Sequence, residues 1–126
     1  MRYIITLLFL VILQMASAQS TESRSISYIE MTDTWIRIYD DSGKKVDTRS
    51  RSSFGDVVGY SSTFFIVRRG SFYVLYDPYC RHLTTLTASN IGEILSVSGN
   101  TFTAKNGSFI STYDKKGKKI NVRTAN

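Results

Sequence analysis

Cys80 and His82 stand two residues apart and are the only cysteine and the only histidine of the chain. On a strand that spacing turns both side chains to one face, which is the arrangement a thiolate nucleophile needs beside its base. No orienting third group and no oxyanion site accompany them, and two side chains fall short of a metal's usual ligand set. The pair therefore points to neither catalysis nor a metal centre. A lone cysteine forms no internal disulfide, so in an exported protein Cys80 is a candidate for an intermolecular one.

Two further patterns bear on chemistry. Tyr39-Asp40, Tyr76-Asp77 and Tyr113-Asp114 recur at a spacing of 37 residues. They read as three aromatic-carboxylate ligand sites or, more economically, as strand ends whose Asp caps a hairpin turn. After each Asp come cations: Lys44 and Lys45, Arg81, and Lys118 and Lys119. These are candidate ligands for anionic groups on one rim of the molecule, although Lys at a strand start also discourages edge pairing. Trp35, the only Trp, is a candidate platform for a sugar ring; its counterparts Phe72 and Phe109 favour a core position instead. There is no nucleophile elbow, phosphate loop or metal-ligand cluster in the sequence. No cofactor is expected, and the chain reads as non-enzymatic.

What must position these residues is a repeat. Residues 55–89 align without a gap on 92–126, sharing among others Phe65/Phe102, Gly70/Gly107, Phe72/Phe109 and Tyr76/Tyr113. A shorter first copy starts near Ser25, which gives units of about 25–54, 55–91 and 92–126. A fixed period of this length marks a repeated supersecondary unit. Each unit reads as a four-stranded antiparallel meander, the last with strands near 93–98, 101–105, 108–113 and 118–124. Asn106-Gly107 predicts a type I′ hairpin with positive φ at both residues. Asp114-Lys115-Lys116-Gly117 predicts a type I turn closed by a left-handed glycine, and Cys80 occupies that glycine's place in the middle unit. In Phe72-Tyr73-Val74-Leu75-Tyr76 large apolar groups fall on both faces, which implies a sheet covered on both sides.

Over residues 25–126 the chain resembles propeller-type blade repeats in length and turn chemistry. The resemblance implies an all-β fold of three propeller-blade-like units, with a β-trefoil-like arrangement as the alternative; the short first copy leaves eleven strands where either fold would have twelve. Three blades are too few for a closed ring, so it also implies self-association of two chains.

The first eighteen residues read as a signal peptide: basic Arg2, an apolar run from Ile4 to Leu13 and Ala16-Ser17-Ala18 as a cleavage site. Cleavage near Ala18–Gln19 would leave 19–126 as a single domain, secreted or periplasmic, with no membrane span. Sixteen basic against ten acidic residues give a net charge of +6. That excess favours anionic partners, and export argues against nucleic acid. The expectation is a small exported binding or interaction module whose partner is a second copy or an anionic or glycan ligand. A lectin-like carbohydrate-binding protein and an inhibitor of a secreted hydrolase are the alternatives.

Overall fold

A computed structural model describes residues 24–125; the leader falls outside them. The described residues form three antiparallel sheets. The first holds β1 (Ile26–Met31), β2 (Trp35–Asp40) and β3 (Lys45–Ser50) in chain order. A four-residue helix α1 (Arg51–Phe54) leads to the middle sheet of β4 (Asp56–Tyr60), β5 (Phe65–Arg69), β6 (Phe72–Tyr76) and β7 (His82–Thr87). Helix α2 (Ala88–Ile91) leads to the last sheet of β8 (Glu93–Ser98), β9 (Thr101–Asn106), β10 (Phe109–Asp114) and β11 (Lys119–Thr124). All sheets are simple meanders, and among the described residues no strand pairs outside its own sheet. They close into no barrel, which leaves a trefoil-like arrangement without its shared strands.

The three turns carrying the Tyr-Asp pairs are built alike. Asp40 Oδ1 accepts from the N–H of Ser42 and of Lys44, Asp77 Oδ1 from Tyr79 and Arg81, and Asp114 Oδ1 from Lys116 and Lys118. Each turn ends on a residue of positive φ: Gly43 at 83°, Cys80 at 63° and Gly117 at 86°. The extra residue bulges the ladder beside each Tyr. One turn departs from its reading. Asn106 pairs with Phe109 and keeps a negative φ, so the loop is Gly107-Ser108 with positive φ on Gly107 alone, as in type II′. The Asn106 side chain is thereby freed, and its amide donates to the carbonyls of Ser89 and Asn90.

The middle sheet is buried on both faces, as its sequence requires. Consecutive Phe64 and Phe65 are fully buried and point opposite ways into two separate cores. Phe65, Val67, Val74 and Tyr76 pack on Ile29, Ile36 and Ile38 of the first sheet. Phe64, Ile66, Tyr73 and Leu75 pack on Phe102, Ala104 and Tyr113 of the last. Burying a side chain of this size contributes about 1.5–3 kcal/mol, so the two cores account for most of what holds the sheets together.

The outer sheets bury one face only. Tyr28, Glu30, Arg37 and Tyr39 share the open face of the first sheet, with Glu30 and Arg37 paired at 3.0 Å. The open face of the last sheet carries Thr103 opposite Thr112. Among the described residues, no helix is long and apolar enough to cross a membrane.

Candidate functional site

The two junctions between sheets are built from positions 37 residues apart, and the differences between them make the site. At the first junction, Phe54 of α1 stacks on the Tyr76 ring at 4.6 Å between centroids. Arg69 donates from Nη2 to the Tyr76 hydroxyl at 2.6 Å and from Nε to the Phe54 carbonyl. Arg49 lies over the outer side of Phe54 at 5.6 Å. These large side chains fill the junction.

At the second junction three of these four have smaller counterparts, and Tyr113 keeps the place of Tyr76. Ile91 stands for Phe54, Asn106 for Arg69, Leu86 for Arg49 and Ser111 for Val74. Beside Asn106 and Ser111 lies a cleft of about 310 Å³ lined by Asn90, Asn106, Phe109, Ser111, Tyr113, Lys119 and Val122. Its size falls at the lower end of the range of small-ligand pockets, about 300–1,000 Å³. The hydroxyls of Ser111 and Tyr113 have no protein partner among the described residues, in contrast to Tyr76. The Lys119 ammonium sits over the Tyr113 ring, 5.9 Å from its centroid. Phe109 forms an apolar wall and is 53% exposed. An aromatic wall, two free hydroxyls and one cation suit a polar, ring-shaped ligand bearing a negative charge.

A larger cleft of about 460 Å³ lies on the other side of α2, lined by Arg68, Ser71, Tyr73, Ala88, Ser89, Gly92 and Glu93. Its two largest polar groups are occupied, and Glu93 adds a carboxylate that disfavours an anionic ligand. Tyr73 donates its hydroxyl to the Gly92 carbonyl at 2.7 Å, and Arg68 donates from Nε to Gly70 while lying over the Tyr73 ring. The smaller cleft is therefore the better candidate.

Comparison with protein families, with curated proteins and with solved structures finds no match to this chain. The site rests on its own geometry.

The residues singled out from sequence are scattered by the fold. Of the five rim cations only Lys119 lines the cleft. Arg81 is held by Asp77 at 2.8 Å and lies over the Tyr79 ring, which Arg24 also approaches. Lys44, Lys45 and Lys118 project into solvent. Trp35 is 42% exposed, Phe72 48% and Phe109 53%, so the core position favoured for this set does not hold. Each ring begins its strand, beyond the end of the packed face.

Cys80 is half-buried and packs against the first core, so it is not an exposed turn tip. Burial pushes its thiol up to about 12, with nearby Asp47 adding to the rise and Arg49 opposing it. Such a thiol is protonated at neutral pH and a poor partner for disulfide exchange. His82 is exposed; its Nε2 meets the Thr85 hydroxyl at 2.8 Å and its ring packs edge-on against Tyr76. Among the described residues no three His, Cys, Asp or Glu side chains are grouped to hold a metal ion.

Asn90, Asn106, Phe109, Ser111 and Val122 are the cleft residues that sequence reasoning did not single out as ligand groups. For Asn106 and Ser111 the signal lies in the repeat alignment, where Val74→Ser111 and Arg69→Asn106 both lose volume on one face of one unit.

Proposed function

We propose that this chain is a small exported, non-enzymatic binding module, built of three blade-like units in the manner of a propeller fragment, that takes an acidic sugar in the cleft between its middle and last units. The observation that supports this most is the pair of uncommitted hydroxyls on Ser111 and Tyr113, set between the open Phe109 ring and the Lys119 ammonium. The apolar face of a pyranose ring would stack on Phe109. Its hydroxyls would exchange hydrogen bonds with Ser111 and Tyr113, and a carboxylate on the sugar would meet Lys119. The basic character of the chain as a whole would raise the local concentration of such ligands.

Titration calorimetry with uronic-acid and neutral oligosaccharides tests the reading. Acidic sugars should bind with an affinity that falls as salt rises, because one exposed cation supplies the charge. Phe109→Ala and Lys119→Ala should each weaken binding by about tenfold, roughly 1.4 kcal/mol. A chain that binds neither class of sugar, while folded by circular dichroism, would be no lectin.

A further inference from the structure

We infer that the ligand of this cleft is a linear acidic polysaccharide, which runs from the cleft across the other two sheets along a row of aromatic-hydroxyl pairs. The inference rests on the cleft being a sugar site and extends it to residues outside the cleft.

Trp35, Phe72 and Phe109 are each the first residue of the third strand position in their unit. All three rings are roughly half open to solvent. In the ladder each stands directly opposite a hydroxyl residue of the next strand: Trp35 opposite Ser50, Phe72 opposite Thr87 and Phe109 opposite Thr124. A ring beside a hydroxyl is the minimum apparatus for holding one sugar, the ring taking the C–H face and the hydroxyl a hydrogen bond. Here that apparatus recurs once per sheet, at the same end of every sheet.

The spacing decides what kind of ligand can use all three. Face-to-face packed sheets lie about 10 Å apart, a spacing that would set successive rings about a disaccharide apart in an extended glycan. Free monosaccharides gain nothing from such a row. A linked chain does, because once one unit is seated in the cleft the others arrive at a high effective concentration. A purely structural role would be cross-strand stabilisation of each hairpin. That role is served equally well by covered rings and places no demand on ligand length.

Trp35 makes the test direct, since it is the only Trp and lies two sheets from the cleft. The probes are oligogalacturonides of increasing length, added to the full-length mature chain. Short fragments should bind without altering Trp35 fluorescence. Once the chain reaches about four to five units, the emission should change and affinity should rise by at least about tenfold. Trp35→Ala and Phe72→Ala should return long-chain affinity to the short-fragment level and leave short-fragment binding intact; Trp35→Phe should retain the gain. If short fragments bind but affinity is flat with length, or Trp35 never responds, the row is not a glycan track and the cleft stands alone. If no fragment of any length binds, the cleft reading fails and this one falls with it.

Discussion

Arg69 donates to the Tyr76 hydroxyl at 2.6 Å, and the residue 37 positions later, Asn106, is too short to do the same for Tyr113. Asn106 instead turns its amide to the carbonyls of Ser89 and Asn90. One junction is closed by its own side chains, and at the other the shorter side chain leaves the Tyr113 hydroxyl without a protein partner among the described residues. The first junction is thus a design for shutting the second.

That comparison predicts that Asn106→Arg, combined with Ile91→Phe, will fill the cleft. The new guanidinium should reach the Tyr113 hydroxyl and the new ring should stack on Tyr113, as Arg69 and Phe54 do on Tyr76. Acidic-sugar binding should drop by at least tenfold, about 1.4 kcal/mol or more. Thermal stability should fall modestly, because Asn106 gives up its bonds to Ser89 and Asn90 and the enlarged ring must be fitted at the buried Ile91 position. Calorimetry and a thermal melt on the same sample separate the two effects. Undiminished binding in a folded double variant would place the ligand elsewhere.

Much of the fold was legible because local chemistry decides it. An Asp that caps a turn, followed three residues on by a left-handed residue, predicts the hairpin at Asp40, Asp77 and Asp114 with the observed bulge. The apolar residues on both faces of Phe72–Tyr76 predict a covered sheet. The type I′ reading of Asn106-Gly107 failed because Asn106 is recruited as the last strand residue and bonded to α2, a contact that local sequence does not display. Exposure of Trp35, Phe72 and Phe109 was also hidden. Side-chain alternation assigns a face, but only tertiary packing shows where along the strand the neighbouring sheet stops. The cleft is a difference between copies, so it emerges only when two junctions are laid side by side. Helices α1 and α2 escaped notice since four residues carry no helical period.

Cys80 should behave as a protected thiol. Its pKa lies near 12 in the folded chain against an ordinary 9.0, through burial first and the charge of Asp47 second. A folded pKa raised in this way contributes stability that is fully present below about pH 9 and is lost as pH climbs through 12. Alkylation at pH 8 should be slow in the native state and fast in denaturant. In Cys80→Ser the stability should decline less steeply between pH 9 and 12 than in the parent, and that difference isolates this group. Native alkylation as rapid as that of a free thiol would contradict the burial.

Gly59 is a contact point between the middle and last sheets. A Cβ added there would come within 2.5 Å of Val97 Cγ2, and the residue's φ is not positive, so any cost of Gly59→Ala is steric rather than conformational. The substitution should destabilise by about 1–3 kcal/mol, the usual cost of overpacking. Val97→Ala on the same background should recover part of that loss, although alone it removes apolar packing. The double-mutant cycle in urea should therefore show a coupling of at least about 0.5 kcal/mol. Additive effects would mean that the two sheets do not meet at this point in solution.

The open face of the first sheet bears on self-association. Glu30 and Arg37, paired at 3.0 Å, occupy the positions that Val67 and Val74 hold on the middle sheet, where the same face is buried. Docking a second copy there would desolvate both charges against a surface carrying Thr103 and Thr112, which offers them little in return. The two charges thus act against association of two copies through this face. Light scattering on the parent chain should report a monomer at all concentrations, with or without reductant. Glu30→Val with Arg37→Val would restore the apolar pattern of the middle sheet, and the double variant should self-associate as concentration rises. A parent chain that is already a dimer, and is unaffected by the double substitution, would show that its copies meet through another surface.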